Sequence, residues 1–108
     1  MSRLRVYKLS LEMVRLMRPL WEKIGRHNRP LRQQLEKSAP AVPRLIAEGE
    51  ARRGGTAILR WEDAIAEARE SLGSVAAAIA AGYLTERETL KAVDKTDHVI
   101  ATLWKLTH

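Results

Sequence analysis

An all-α fold, an antiparallel up-and-down four-helix bundle, is what this sequence predicts, on three observations. Four segments carry apolar residues at alternating steps of three and four, the spacing that lines one face of a helix. No stretch alternates apolar and polar residues with the period of two that a half-buried strand shows. The breaks between segments are short, so successive helices are expected to return antiparallel. With 108 residues, 45% of them hydrophobic, the chain suits a single small core, and the expected domain is 1–108.

Residues 4–25 make the first helix. Val6, Leu9, Met13, Leu16, Leu20 and Ile24 line one face. A second stripe, Tyr7, Leu11, Val14, Met17 and Trp21, widens the apolar arc beyond half the circumference. A peripheral helix needs less, so this one is either deeply buried or carries a second interface. A self-association surface is expected, formed by Tyr7, Leu11, Val14 and Trp21 and joined by Leu45 of the second helix. Gly25 ends the helix, and the segment from Arg26 to Pro30 makes a turn.

The second helix starts near 29, with Asn28 as N-cap and Pro30 in the first turn. Leu31, Leu35, Ala39, Val42, Ile46 and Gly49 form its apolar face. Pro40 and Pro43 lie inside it, and each removes a backbone donor, leaving the carbonyls of Glu36 and Ala39 without their usual partners. A kink near 38–43 is expected, with Ser38 available to donate to a freed carbonyl. Gly54 and Gly55 close the segment, and Thr56 is the expected cap of the third helix, 57–81. There Ile58, Trp61, Ile65, Ala68, Leu72, Val75 and Ile79 repeat without interruption, among many alanines of high helix propensity. Gly82 is the stop. Thr85 and Glu88 spell a capping box that opens the fourth helix. Leu90, Val93, Ile100, Leu103 and Trp104 are its expected seam, with Asp97 as a polar interruption or an outward-facing residue.

Charge is uneven. Residues 1–53 hold 13 Lys/Arg against 5 Asp/Glu, a net +8, while 54–108 hold 6 against 8, a net −2. Such a basic half suits an anionic partner, nucleic acid above all, or else is a solvated face that aids solubility. There is no cysteine, so no disulfide and no thiolate metal site. No apolar run reaches the roughly 20 residues of a membrane span, and the first residues are charged and amphipathic rather than a leader. An unprocessed cytoplasmic protein is expected.

The second and third helices resemble a bacterial family of small four-helix bundles, the 23S rRNA intervening-sequence proteins. The residues that carry the resemblance are Gln34-Leu35, Val42-Pro43, Ile46-Ala47-Glu48-Gly49, Arg52-Arg53, Trp61, Ala68-Arg69 and Ser71-Leu72, with Val6-Tyr7 in the first helix. Ala41, Leu45 and Glu70 depart from the family's Ser, Asn and Gly, and Pro40 is an added proline. The resemblance implies a homo-oligomer, a pentameric ring. It also implies kinship with the accessory variability determinant of diversity-generating retroelements, a basic pentamer that binds reverse transcriptase and nucleic acid.

No catalytic constellation is found, and no enzyme, cofactor or metal is expected. His27, His98 and His108 lack the spacing of a helical metal site. Glu48 and Glu50 stand two apart and point apart on a helix, so Glu48 reads as a structural acceptor or an ion-pair partner of Arg44, Arg52 or another basic neighbour. GEARRGG lacks the Lys-Ser/Thr of a phosphate loop. In an up-and-down bundle one end gathers Arg3, Arg5, Arg52, Arg53 and Arg60, and the other Arg26, His27, Arg29, Arg32 and Arg87. The expected nucleic-acid contacts are Arg3, Arg5, Arg26, Arg29, Arg32, Arg52 and Arg53, made to RNA or DNA backbone. With few aromatics, and those suited to helix seams, a base-stacking platform is not expected. The alternative is a structural or protein-interaction oligomer that binds no nucleic acid.

Overall fold

The computed structural model describes the backbone from Arg3 to His108 and side chains from Leu4 onward. Its elements are four helices, α1 (Arg3–Ile24), α2 (Arg29–Glu50), α3 (Gly55–Ala80) and α4 (Glu86–Thr107). Each packs on the next, and α4 returns to α1, so the four close around one core. Cross-helix contacts give the directions. Lys23 reaches Glu88 and Glu12 reaches Lys95, which sets α1 and α4 antiparallel. Ser38 with Ser71, and Ile46 with Trp61, do the same for α2 and α3.

Capping follows the sequence closely. The Asn28 side chain accepts from the Leu31 N–H at 3.0 Å and opens α2. Thr85 and Glu88 form a complete capping box at α4. Gly54 (φ +60°) and Gly82 (φ +82°) occupy backbone conformations that favour glycine at the two turns after α2 and α3. Thr56 differs from expectation: it lies inside α3, which begins at Gly55, and its hydroxyl donates to the Arg53 carbonyl at 2.9 Å.

Helix α2 runs unbroken from Arg29 to Glu50 with both prolines inside it. Packing within the bundle offsets their cost, because Ala39, Val42, Ile46 and Gly49 are all buried. Ser38 does not serve the carbonyl freed by Pro40. Its buried hydroxyl lies 2.8 Å from that of Ser71, and at 3.5 Å it donates to Leu35. Further along the same face, Gly49 lies directly beneath the indole of Trp61, whose Nε1 donates to the Ile46 carbonyl at 3.4 Å. Helix α1 also carries a proline in its interior, Pro19, to which the apolar spacing gives no clue.

Two seams are rotated from expectation. In α1 the fully buried set is Val6, Ser10, Met13, Met17 and Ile24, flanked by Leu9, Leu20 and Trp21, while Leu16 is half-buried. In α4 the core face is Thr89, Ala92, Thr96, Val99, Thr102 and Leu103. Leu90 and Trp104 are instead exposed (56% and 46%), as is Asp97, with Val93 and Ile100 half-buried. Threonine can take core positions here because Thr89 and Thr96 donate to the carbonyls of Glu86 and Ala92, each at 2.7 Å.

The α4 capping box doubles as a tie between helices. The Glu88 carboxylate accepts from Lys23 Nζ at 2.9 and 3.0 Å, from the Thr85 N–H at 2.7 Å and from the Thr85 hydroxyl at 3.0 Å. The Lys23 hydrogen bond first, then that of the Thr85 backbone, hold its pKa down at about 2, against an ordinary 4.5. A depressed folded-state pKa means the stabilisation is present above pH 4.5 and is lost as pH falls from there toward 2. Glu88→Gln keeps the capping geometry and removes the charge. Urea midpoints at pH 6, 4 and 2 will therefore show the parent ahead of the variant at pH 6 and level with it at pH 2. Parallel pH profiles would reject this tie.

Candidate nucleic-acid interface

The bundle measures 43 × 23 × 19 Å, so its two ends lie several Debye lengths apart and act as separate electrostatic surfaces. One end holds the α1–α2 and α3–α4 turns, drawn together by the Lys23–Glu88 pair. The other holds the start of α1, the α2–α3 turn and the end of α4. Leu4, Tyr7, Ala47 and Glu50 line one hollow there, and Leu106 and Ile58 line another with the Arg52-Arg53 turn.

The seven expected arginines do not share one fate. Arg3 lies outside the described side chains. Arg5, Arg26, Arg29, Arg52 and Arg53 are exposed. Arg32 is half-buried, its stem laid against Gly25 and its guanidinium spent on Glu36 at 3.1 Å. Arg60 is likewise turned to Asp63 at 3.3 Å, and its buried Nε has no hydrogen-bond partner. Among the described residues, Arg26, Arg29 and Arg87 at one end and Arg52 and Arg53 at the other stand outside every ion pair. Arg52 and Arg53 border a groove of about 570 Å³ with Glu50, over a floor that includes Ala57, Ile58 and Leu106. The expected partner of Glu48 is Arg44, at 3.2 Å, and not Arg52.

One feature of the first end was not expected. His27 and Tyr83, one from each turn, stack with rings 3° from parallel and centroids 5.1 Å apart. His27 is exposed, and Tyr83 is half-buried behind it. The sequence signal was only that both rings fall in turns that short loops bring to the same end.

The expected self-association residues also divide. Tyr7, Leu11 and Val14 are half-buried, but Trp21 is 9% and Leu45 6% exposed. Those two are core residues, with no face left for a partner. Much of the wide apolar arc of α1 is consumed within the bundle, and Leu45 packs as core.

Among the described residues no three His, Cys, Asp or Glu side chains converge as a metal set, and no helix is long and apolar enough to cross a membrane.

No protein-family model and no curated protein matches this chain. Among solved structures, a protein of unknown function from the S23 ribosomal protein family of Bacteroides thetaiotaomicron VPI-5482 superposes with a TM-score of 0.85. The match covers 94% of this chain and 97% of that one, at 18% sequence identity. The likeness is one of fold. It extends over nearly the whole four-helix arrangement.

Proposed function

We propose that this protein is a non-enzymatic, cytoplasmic adaptor that assembles with copies of itself and contacts nucleic acid through its arginine-bearing ends. The observation that carries the reading is the set of exposed arginines outside ion pairs, gathered by the turns at each end of the bundle. Guanidinium groups free of carboxylates are available to phosphate oxygens, and the neutralised Arg32 and Arg60 are not. The resemblance to the rRNA intervening-sequence family, together with an S23-family structural neighbour, supports a place near RNA.

Assembly has its own support. Leu90, Val93, Ile100 and Trp104 lie on the flank of α4 away from α1, beside the exposed small residues Ala66, Gly73, Ala76 and Ala80 of α3. Tyr7, Leu11 and Val14 lie on the opposite side of the bundle, between α1 and α2. Two unlike apolar strips on separate faces suit a head-to-tail contact, which makes a ring where its rotation closes, and the family resemblance is what favours a pentamer.

Titration of labelled RNA and duplex DNA at 50 and 200 mM salt tests the first half. Three neutralised phosphates predict an affinity loss on the order of 20–40-fold across that range. Binding no tighter than that of a neutral control protein would refute it. Native mass measurement tests the second half: assemblies are expected, Trp104→Glu should dissolve them, and a strict monomer at micromolar concentration rejects the ring.

A further inference from the structure

The stacked His27 and Tyr83 give the α1–α2/α3–α4 end a property that charge alone does not. From it we infer that this end binds single-stranded nucleic acid, with one unpaired base stacked on the outer face of the His27 ring. The inference rests on the nucleic-acid reading above and narrows it to one end, one strand state and one pair of rings.

A single strand offers what a duplex withholds. Its bases present flat faces that a duplex hides, and proteins take them on aromatic rings beside cationic side chains that hold the backbone. A ring serves as such a platform only if it is held in orientation and has a face open to solvent. Tyr83 is half-buried and backs His27 in a nearly parallel stack, and His27 is exposed. The turns that carry them are fixed relative to each other by the Lys23–Glu88 pair and by the Thr85–Glu88 capping box. The platform is therefore formed before any ligand arrives, and little order is left to be imposed on binding.

The charges around it suit a strand. Arg26 flanks His27 directly, Arg29 starts α2 two residues on, and Arg87 lies in the first turn of α4, four residues from Tyr83. All three are exposed and outside ion pairs. Most carboxylates of this end are already neutralised: Glu22 by Arg18, Glu36 by Arg32 and Glu88 by Lys23. Glu86 is exposed and outside an ion pair, which leaves two net positive charges around the rings among the described residues. At the opposite end the ring that borders the groove of Arg52 and Arg53, that of Trp61, is only 3% exposed, and the stacked Trp104 and His108 there both belong to the end of α4 rather than to two turns tied to each other.

The test compares a 12-nucleotide RNA carrying 2-aminopurine with its blunt duplex, at one low salt concentration, for the parent protein, His27→Ala, His27→Trp and Arg87→Gln. Stacking quenches the fluorescent base, so quenching by the parent and its loss in His27→Ala are expected. His27→Ala should weaken single-strand binding about tenfold and leave duplex binding within about twofold. His27→Trp should restore both affinity and quenching, while Arg87→Gln should weaken strand and duplex alike. Circular dichroism melting of each variant guards against a folding defect, and the exposed His27 is the safer of the two rings to change. Equal loss for strand and duplex, or no change in quenching, overturns this inference while leaving phosphate contact intact. Absence of binding to either probe overturns both readings together.

Discussion

Trp61→Ala is expected to destabilise the protein by about 3–5 kcal/mol, the cost of removing a large buried aromatic. The indole bridges the two helices that share the α2–α3 interface, with its Nε1 donating to Ile46 and its ring over Gly49. Its truncation leaves a cavity that the neighbours cannot close, because Ala57 and Ala64 on its own helix are already small. A domain of this length has about 5–15 kcal/mol to lose, so the variant will be near the edge of folding at 37 °C. Thermal melting should fall on the order of 15 °C or more. Trp61→Phe, which keeps most of the volume and loses the hydrogen bond, should sit much nearer the parent. A drop of less than about 5 °C for the alanine variant would show that α2 and α3 are held by other contacts.

Gly49→Ala tests the other half of the same lock, and its sign is the informative part. Glycine to alanine inside a helix normally gains about 1 kcal/mol. Here a Cβ would run into the indole, within 2.7 Å of its Cδ1 and 3.0 Å of its Cε2 and closer still to its Nε1. These are atoms of a rigid buried ring that cannot swing aside as the end of a lysine would. Overpacking of that kind costs about 1–3 kcal/mol, which outweighs the propensity gain, so a net loss of about 1–2 kcal/mol is expected. Gly73 is the control, since nothing lies within 4 Å of a Cβ there and Gly73→Ala should stabilise. Introduced into the Trp61→Ala background, Gly49→Ala should change sign and stabilise, because the ring it struck is gone. Denaturant midpoints of the four proteins in this cycle measure the coupling directly, and additive effects would refute the lock.

Much of the architecture was legible because helix periodicity and caps are local signals. Asn28, the Thr85–Glu88 box and Gly82 act within a few residues of themselves, and each marks a true boundary. The face of α4 was misread because threonine counts as polar in a periodicity argument. Its hydroxyl can be satisfied by the preceding turn of its own helix, after which a methyl faces the core, so the obvious hydrophobes Leu90 and Trp104 were left outside. Trp21 and Leu45 were misassigned for a related reason. The width of an apolar arc does not say how far neighbouring helices wrap around it. At the candidate site, short loops predicted which arginines share an end, but Arg32 was counted as a phosphate contact although Glu36 stands four residues on, at ion-pair spacing. The His27–Tyr83 stack was out of reach, since it depends on the paths of two turns far apart in the chain.

The hydroxyl seam of α4 also bears on how the bundle comes apart. Thr89 and Thr96 carry their hydrogen bonds within the helix itself, so lifting α4 away orphans neither of them. It strips little oil from the core either, as Val99 and Leu103 are the only large aliphatic residues that α4 buries fully. The α2–α3 pair, clasped by Trp61 over Gly49 and by two facing serines, has far more to forfeit. Native-state opening should therefore begin at α4, whose amides exchange with solvent first while the α2–α3 hairpin stays protected. The helix that bears the exposed Leu90 and Trp104 is then also the one that can shift to accommodate whatever settles on them.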